Sequence, residues 1–368
     1  MLQWERGVVV EERESWAGVA RVRVRVGTGE VIPALAYPEL YGRPRLGETV
    51  LLNTNALRRG LGTGGEALMV ARPDDLEAHE QIDGHMVKMR YAPMQTMCNA
   101  IDDPASPHYA AMREARDLDG MPVVVADLHS SLSAIVAGIR ADAPSARIAH
   151  VHTDAAALPA AFSRTAALLR EHGLLVGTIS AGQSFGGDLE AVTVHSALLG
   201  ARTVLGADVC VVVQGPGNLG TGTGWGFSGV DAAEAVHAAH VLGGRAVAAL
   251  RVSQADPRER HRGLSHHSST IFGAACLAAL QLPVMDPTDP RYSAFHVYVT
   301  EQTQNSIVRV GAERGIQHQV RELPTTGLME ALEDLPVRLS TMGRGLADDP
   351  AAFLYAALAG RCAAQLTS

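Results

Sequence analysis

The sequence DVCVVVQ, from Asp208 to Gln214, is an apolar run followed by a glycine-rich loop and then by DAAEAVHAAHVL, from Asp231 to Leu242. A short apolar run bounded by turn residues predicts a buried strand, and the alanine-rich segment after the loop predicts a helix. A strand, a loop and a helix in this order form the repeating unit of α/β folds. This stretch therefore sets the architecture expected for the residues around it.

The same pattern occurs four more times along the chain. The other apolar runs are MPVVVAD (Met121 to Asp127), RIAHVHT (Arg147 to Thr153), LLVGTIS (Leu174 to Ser180) and RAVAALRVS (Arg245 to Ser253). The helices are expected after Ser130, after Leu158, from Asp188 and after residue 265. Five such units predict an α/β fold with a mostly parallel, doubly wound sheet. Further on, FHVYVTE and QVRELPT are expected to be strands, and a closing helix is expected from Pro350 to Leu366.

The amino-terminal part has a different pattern, with short strands separated by glycines. RVRVRV, from Arg21 to Val26, alternates strictly, which predicts a strand with valines on a buried face and arginines in solvent. The expected organisation is a small all-β, barrel-like domain over residues 1–82, a connector over 83–110, and an α/β domain over 111–368 that carries the site.

Composition excludes several classes of partner. The chain has 368 residues, a formal net charge of -8 and 4% aromatic residues, which argues against a broad nucleic-acid surface. No apolar run has the length of a membrane span or a signal peptide. We therefore expect a cytoplasmic location and no membrane partner. The cysteines are far apart and form no CxxC pair: Cys98, Cys210, Cys276 and Cys362. A homo-oligomer is left open.

One loop carries most of the candidate chemistry. The stretch RVSQADPRERHRGLSHHSST runs from Arg251 to Thr270 and concentrates arginines and histidines in an acidic protein. Arg258 and Arg262 are predicted to hold an anion by bidentate bonds. The loop also supplies the ligand-binding candidates Ser265 and His267 and the catalytic acid or base candidates His266 and His261. The plainer alternative is a solvated loop whose arginines are neutralised by Asp256 and Glu259.

The other loops at the carboxyl ends of the predicted strands add further candidates, because ligands of doubly wound sheets bind at that edge. Asp188 is expected to act as an acid or base in proton transfer, or simply to cap a helix. The remaining ligand-binding candidates are Ser130, Ser131, Asp154, Gly186, Gly187, Gly215 and Gly217.

The same loops bear on two possible cofactors, NAD and a divalent metal. Gly215, Gly217 and Gly220 satisfy GxGxxG, but the predicted helix begins only near Asp231, which argues against NAD. A divalent metal is left open. Its weak candidate ligands are Asp127, His129, His150 and His152, because histidines two apart on a strand can reach one ion.

Several long stretches carry a resemblance to a known family. They are HTDAAALPAAFS, SAGQSFGGDLEAV, GADVCVVVQGPGNLGTGTGWGFSG, ADPRERHRGLSHHSSTIFG and STMGRGLADDPAAF. Together they resemble a bacterial family catalogued as domain-of-unknown-function family 3866, and the resemblance covers nearly all of the chain. It implies no activity, substrate or cofactor. The family pattern has an apolar residue near His152, which weakens the prediction of a metal at that histidine pair.

The function that the sequence favours is an enzyme, a hydrolase or group transferase, acting on a small phosphorylated or nucleotide-like anion. Two alternatives stay open at this point. One is a metal-dependent hydrolase that uses the histidine and aspartate ligands named above. The other is a non-catalytic sensor that binds a small ligand and passes the signal on through the amino-terminal domain.

Overall fold

The computed structural model describes residues 2–62, 64–75 and 84–367. The chain divides into two compact units, Met1–Asp83 and Gly84–Ser368. The predicted boundary between residues 82 and 83 lies outside the described residues. The finer limits of the connector stay a prediction.

The first unit is a closed five-stranded barrel with the strand order β1-β2-β3-β5-β4. Its strands are β1 (Trp4–Trp16), β2 (Val19–Val26), β3 (Val31–Ala36), β4 (Thr49–Asn53) and β5 (Ala67–Ala71). Two short helices, α1 (Pro38–Tyr41) and α2 (Asn55–Arg58), connect them. Antiparallel pairing of β1 with β4 closes the barrel.

The alternation of RVRVRV in β2 decides which face of that strand enters the barrel core. Val22, Val24 and Val26 are all buried, and Val24 is completely so. Arg23 and Arg25 are exposed on the opposite face. Successive side chains of a strand point to opposite faces, so this alternation produces a half-buried strand, as predicted.

The second unit contains an eight-stranded sheet with the order β11-β10-β9-β12-β8-β13-β16-β17, and each neighbouring pair is parallel. Its strands are β8 (Pro122–Ala126), β9 (Ile148–Thr153), β10 (Gly177–Ala181), β11 (Leu189–Ala191), β12 (Val209–Gln214), β13 (Arg245–Ala248), β16 (Gln281–Met285) and β17 (Gln319–Leu323). Two small antiparallel pairs complete the unit: β6 (Met86–Lys88) with β7 (Thr96–Cys98), and β14 (Val252–Ser253) with β15 (Gly263–Leu264).

Helices cover this sheet. They are α3 (Tyr109–Glu114), α4 (Leu132–Asp142), α5 (Arg164–Glu171), α6 (Val194–Thr203), α7 (Ala232–Val241), α8 (His266–Ser268), α9 (Ala294–Thr303), α10 (Arg309–Glu313), α11 (Leu328–Glu333) and α12 (Pro350–Gln365). Single 3-10 turns occur at His129–Ser131, Ala160–Phe162, Ser228–Asp231 and Glu259–His261, and π-helical turns at Ser269–Ala275 and Gln304–Val308.

The strand order reverses direction at β8. From β8 the chain moves one way, through α4 and α5, to β9 and β10, and it later returns the other way through α6 and α7 to β12 and β13. Right-handed crossovers in opposite directions place their helices on opposite faces of the sheet. The sheet is therefore doubly wound, which confirms the predicted α/β class. The loops part at the carboxyl end of β8, and ligands of doubly wound folds bind at such a position.

Two predicted elements are wrong. The helix expected from Asp188 begins only at Val194, because Leu189–Ala191 pairs with β10 as a strand and Thr193 caps α6. FHVYVTE forms helix α9 and not a strand. Its alternating residues resemble a strand pattern, but Val299 packs into the core while Val297 and Tyr298 stay exposed, as on a helix surface.

Candidate functional site

Asp127 lies where the loops part, directly after β8 and buried. Its Oδ2 atom is 2.8 Å from Nδ1 of His267 and 3.5 Å from a terminal nitrogen of Arg251. Burial opposes ionisation, but the hydrogen bond to His267 and the charge of Arg251 outweigh it, so the pKa of Asp127 is lowered. Asp127 is therefore a carboxylate at neutral pH.

His267 is held on two sides. Its ring stacks on Phe227, with centroids 3.7 Å apart and planes 9° from parallel. Its Nδ1 atom lies 2.8 Å from the Asp127 carboxylate and 3.0 Å from Arg251, which carries only donors. One nitrogen cannot donate to Asp127 and accept from Arg251 at once. The shorter contact to a charged acceptor assigns the proton to Nδ1, which leaves the lone pair on Nε2.

His261 and His266 stand beside His267. Nδ1 of His261 is 2.7 Å from the Ser265 hydroxyl, and the same oxygen accepts the backbone N–H of His267 and thereby caps α8. Nε2 of His266 is buried and has no hydrogen-bond partner among the residues that the structure describes. The three ring centroids are 4.5 to 5.0 Å apart. We call His261, His266 and His267 the histidine cluster.

Two rings of the histidine cluster are neutral at physiological pH. Burial, reinforced by the charges of Arg251 and Arg258, lowers the pKa of His261 to about 3. Burial, together with His267 and Arg260, lowers the pKa of His266 to about 4. Such rings are weak proton donors at pH 7, but each carries a nitrogen lone pair. Of the acid and base roles that the sequence analysis left open for His261 and His266, these lowered pKa values favour the base.

The histidine cluster opens onto a cavity of about 150 Å³. Arginines and a glycine-rich hairpin form most of its wall. The lining residues are Leu128, Asn218, Leu219, Gly220, Gly222, Thr223, Phe227, Arg251, Arg258, Arg260, His261, His266, His267 and Met342. We call this space the arginine–histidine cavity.

The predicted anion-holding arginines separate in the structure. Arg258 lines the cavity, although its Nε and one terminal nitrogen bind Asp256 at 2.9 and 2.8 Å. Arg262 is exposed and lines a different surface depression, beside Gln302 and Asn305. The arginine between them, Arg260, reaches the cavity instead of Arg262.

The serines after β8 lie outside this cavity. Ser130 and Ser131 line a neighbouring small depression, where the Ser130 hydroxyl donates to the hydroxyl of Thr341 at 3.1 Å. Neither side chain caps a helix. Of the candidates in this loop, only Asp127 reaches the histidine cluster.

Asp154, Gly187 and Gly215 have structural roles in these loops. Asp154 accepts the backbone N–H of Gln183 at 2.6 Å and so holds the turn after β10. A Cβ atom on Gly187 would lie 2.8 Å from the carbonyl oxygen of Thr178, and one on Gly215 would overlap the carbonyl oxygen of Ala157. These positions need glycine because another backbone passes close by.

Two further loop glycines also lie apart from the cavity lining. The Gly186 N–H donates to Glu190 at 2.7 Å, whereas Gly217 has a φ of 101° and open space around it.

Asp188 lies far from the histidine cluster. Its Oδ2 atom accepts the backbone N–H of Thr178 at 2.7 Å, near the amino end of β10. The histidine loop follows β13, which is four strand spacings, or about 19 Å, across the sheet. Proton transfer between Asp188 and His266 is therefore excluded by this geometry.

The other predicted metal ligands form a second, buried histidine group. His129, His150 and His152 have ring centroids 5.8 to 6.3 Å apart. Each ring is hydrogen-bonded to different groups. His129 contacts Ser163 and the Gln214 carbonyl, His150 contacts Thr178, and His152 contacts the Ala157 carbonyl. These contacts are those of histidines inside the core, and among the described residues Nε2 of His150 and Nδ1 of His152 have no hydrogen-bond partner.

Sequence reasoning missed several residues of the cavity, among them two arginines. Arg251 and Arg260 stand in the quoted loop but were not singled out, and Phe227 and Met342 come from distant loops. The signal that could have found Arg251 is its position, since it lies in the loop three residues after the end of β13. Met342 carries no chemical signal, and only the fold places its turn beside the cavity.

The fold and the cavity define the class: a doubly wound α/β protein with a histidine- and arginine-lined crevice at the switch point of its sheet. The chain belongs to the family described as protein of unknown function (DUF3866), whose family model matches residues 33–360. This confirms the family resemblance drawn from the sequence. No curated protein and no solved structure matches the chain. Within the described ranges, no helix is both long and apolar enough to span a membrane.

Proposed function

We propose that the chain is an enzyme that binds a small phosphate-bearing metabolite in the arginine–histidine cavity and catalyses hydrolysis or group transfer, in the cytoplasm. One observation carries the proposal. Three arginines and three histidines from one loop line a single cavity at the carboxyl edge of a doubly wound sheet, and two of them, Arg251 and His267, contact the buried Asp127. That edge is where ligands of this architecture bind.

The arginines supply the affinity for an anion. Arg251 is engaged with Asp127, and Arg258 is partly engaged with Asp256. Arg260 is exposed, and no hydrogen bond or ion pair to it occurs within residues 2–62, 64–75 and 84–367. A guanidinium without a protein partner at the wall of a cavity is suited to a phosphate oxygen.

The size of the cavity limits the substrate. A volume of about 150 Å³ is below the roughly 300–1,000 Å³ of sites for drug-sized ligands. We therefore expect the cavity to take a phosphate group, with the rest of a small substrate at its mouth. There the hairpin residues Leu219 and Thr223 line the wall.

The histidine cluster supplies the chemistry. Neutral imidazoles place nitrogen lone pairs beside the position of the anion, and Asp127 fixes the orientation of His267. Hydrolysis and group transfer need such a lone pair, either to take a proton from the attacking group or to hold a metal ion.

Binding is tested by thermal shift with inorganic phosphate, pyrophosphate, sugar phosphates and nucleotides. A ligand at about 100 times its Kd should stabilise the wild type by about 2.7 kcal/mol, a shift of several degrees. Arg260→Ala should abolish the shift. Arg262→Ala is the matched control, because Arg262 is in the same loop but lines another depression, and it should keep the shift. Equal shifts in both variants would contradict the site.

Catalysis is tested on each ligand that binds. Incubation with the wild type should convert the ligand, as measured by chromatography and by released phosphate, and Arg260→Ala should lose at least about tenfold in kcat/KM. A ligand that binds in an Arg260-dependent manner but is never consumed would contradict catalysis and indicate a sensor.

A further inference from the structure

The histidine cluster has the geometry of a ligand set. One nitrogen from each of His261, His266 and His267 can be chosen so that all three lie within 4.8 Å of one another. Among the residues that the structure describes, these three are the one group of three or more histidine, cysteine or carboxylate side chains with this property. The buried group of His129, His150 and His152, which the sequence pointed to, does not have it.

Two of the three rings are anchored through one nitrogen, which leaves the other nitrogen for a metal ion. His267 and His261 are anchored through Nδ1, by Asp127 at 2.8 Å and by Ser265 at 2.7 Å. With Nδ1 as the donor in both, Nε2 keeps its lone pair. Among the described residues, Nε2 of His266 is buried without a hydrogen-bond partner, as are nitrogens of His150, His152 and His318, although a buried imidazole nitrogen normally has one. A carboxylate behind a histidine, as Asp127 stands behind His267, is the usual support of a metal ligand.

We infer that His261, His266 and His267 hold one zinc-class divalent cation. Three imidazoles suit Zn²⁺, whereas Mg²⁺ and Ca²⁺ require oxygen ligands. Three protein ligands with a fourth position open to a ligand are typical of a catalytic zinc site. This inference rests on the proposed function, because the role of the metal ion depends on the anion. The histidine cluster opens onto the cavity that Arg260 lines, and there an oxygen of the anion would complete the coordination of the ion.

The distances between the histidine nitrogens show how the rings must move when a zinc ion binds. Two nitrogens on a tetrahedral zinc ion with bonds of 2.0–2.1 Å are about 3.3 Å apart. The nitrogens here are within 4.8 Å, so the ion would draw the rings together through small side-chain rotations. Phe227 and Asp127 hold His267, whereas within the described part of the chain no hydrogen bond to Nε2 of His266 opposes a rotation of that ring.

Zinc binding to the full chain is the decisive test. After the protein has been stripped with a chelator and dialysed, titration calorimetry with ZnCl₂ should show one site per chain. His266→Ala and His261→Ala should each lower the affinity at least about 100-fold. His195→Ala is the control, because His195 is an exposed histidine outside the cluster, and it should bind zinc like the wild type. Thermal melts establish that each variant is folded.

Asp127→Asn separates a metal site from a structural histidine group. Loss of a carboxylate behind a ligand usually lowers metal affinity by about 10- to 100-fold. We expect a loss in that range with one site per chain retained. Co²⁺ in place of zinc should give the intense visible absorption of a tetrahedral ion in the wild type, and His266→Ala should lose it.

The outcomes distinguish this inference from the proposed function. Absence of stoichiometric zinc in the wild type, unchanged affinity in folded His266→Ala, or the weak spectrum of octahedral cobalt would each overturn the metal site. Arg260-dependent binding of phosphate by the stripped protein would still stand in that case. Conversely, if the protein binds one zinc ion per chain but no ligand in an Arg260-dependent manner, the metal site stands and the proposal of a phosphate-bearing substrate is wrong.

Discussion

Asp256 is the residue that organises the arginine loop. It is buried, accepts two bonds from Arg258 at 2.9 and 2.8 Å, and also meets Arg344 at 3.3 Å. Its hydrogen bond from Arg258 holds the pKa of this carboxyl below its usual range, against the opposing effect of burial. Of the two acids that the sequence offered as neutralising partners, Asp256 has this role. Glu259 is exposed and lines the surface depression beside Arg262.

Asp256→Asn should therefore destabilise the chain. Loss of the charge leaves two guanidinium groups with weaker acceptors, and hydrogen bonds to charged groups are worth about 1.5–3 kcal/mol. We expect the free energy of unfolding in urea to fall by about 2 kcal/mol. Glu259→Gln in the same loop is the control and should change it by less than about 0.5 kcal/mol. Equal effects of the two substitutions would refute the role of Asp256.

At this scale the sequence located the loop but not the working side chains. Composition alone identified the stretch with the arginines and histidines. Arg260, in the 3-10 turn at Glu259–His261, lines both the cavity and the outer depression, whereas Arg262 lines the outer depression but not the cavity. The direction of a side chain in an irregular loop depends on the tertiary contacts of the turn, which no local pattern contains.

At the scale of elements, helices α4 and α12 pack with their backbones in direct contact. A Cβ atom on Gly138 would overlap the carbonyl oxygen of Ala357, and one on Gly360 would overlap that of Ile135. The two backbones therefore approach each other more closely than any side chain allows. This contact attaches the last helix of the chain to the helix that follows Asp127.

Gly138→Ala should cost the chain stability although alanine favours helices. Overpacking of a tight contact costs about 1–3 kcal/mol, and here the obstacle is backbone, so we expect about 3 kcal/mol in urea unfolding. Gly224→Ala, at a loop position with nothing within 4 Å of the added atom, should change the free energy by less than about 1 kcal/mol. A neutral Gly138→Ala would show that the helices can separate without loss.

Strand β9 makes stability depend on pH. It buries His150 and His152 completely, and burial lowers the pKa of His152 from 6.5 to about 4. In the unfolded chain His152 takes up a proton near pH 6.5, while in the folded chain it does so only near pH 4. The stabilisation is therefore complete above pH 6.5 and is lost as pH falls toward 4.

His152→Gln removes this titration and keeps an amide nitrogen that can reach the Ala157 carbonyl. Between pH 7 and pH 4, we expect the variant to lose about 3 kcal/mol less unfolding free energy than the wild type, as measured by chemical denaturation at each pH. His195→Gln, at an exposed position, should follow the wild type. Parallel pH curves for wild type and His152→Gln would contradict the assignment.

Elements with long apolar runs were predictable, and the exceptions have a physical reason. Strands β8, β9, β10 and β12 coincide with the predicted runs because burial on both faces demands continuous apolar sequence. Strand β11 is only three residues long, and its pairing with β10 outweighs the helix-like sequence around it. The cavity could be predicted only as an edge of the sheet, because its walls come from loops far apart in sequence.

At the scale of the whole molecule, every residue that lines the arginine–histidine cavity belongs to the unit Gly84–Ser368. We expect a fragment with that range to fold alone and to keep the phosphate-dependent thermal shift of the full chain within about twofold in Kd. Circular dichroism and the same ligand screen check this. An aggregated fragment, or a folded one that no longer responds to phosphate, would show that the barrel unit is needed.

The stack of Phe227 on His267 gives the cavity a reporter of its own. Protons held over the face of an aromatic ring are shielded by its ring current, so those of the His267 imidazole should resonate upfield of the other histidines in a proton NMR spectrum. The stacking distance of 3.7 Å makes that displacement sensitive to small tilts of either ring. Occupation of the cavity could then be followed at one resolved signal, without a label and before any substrate is known.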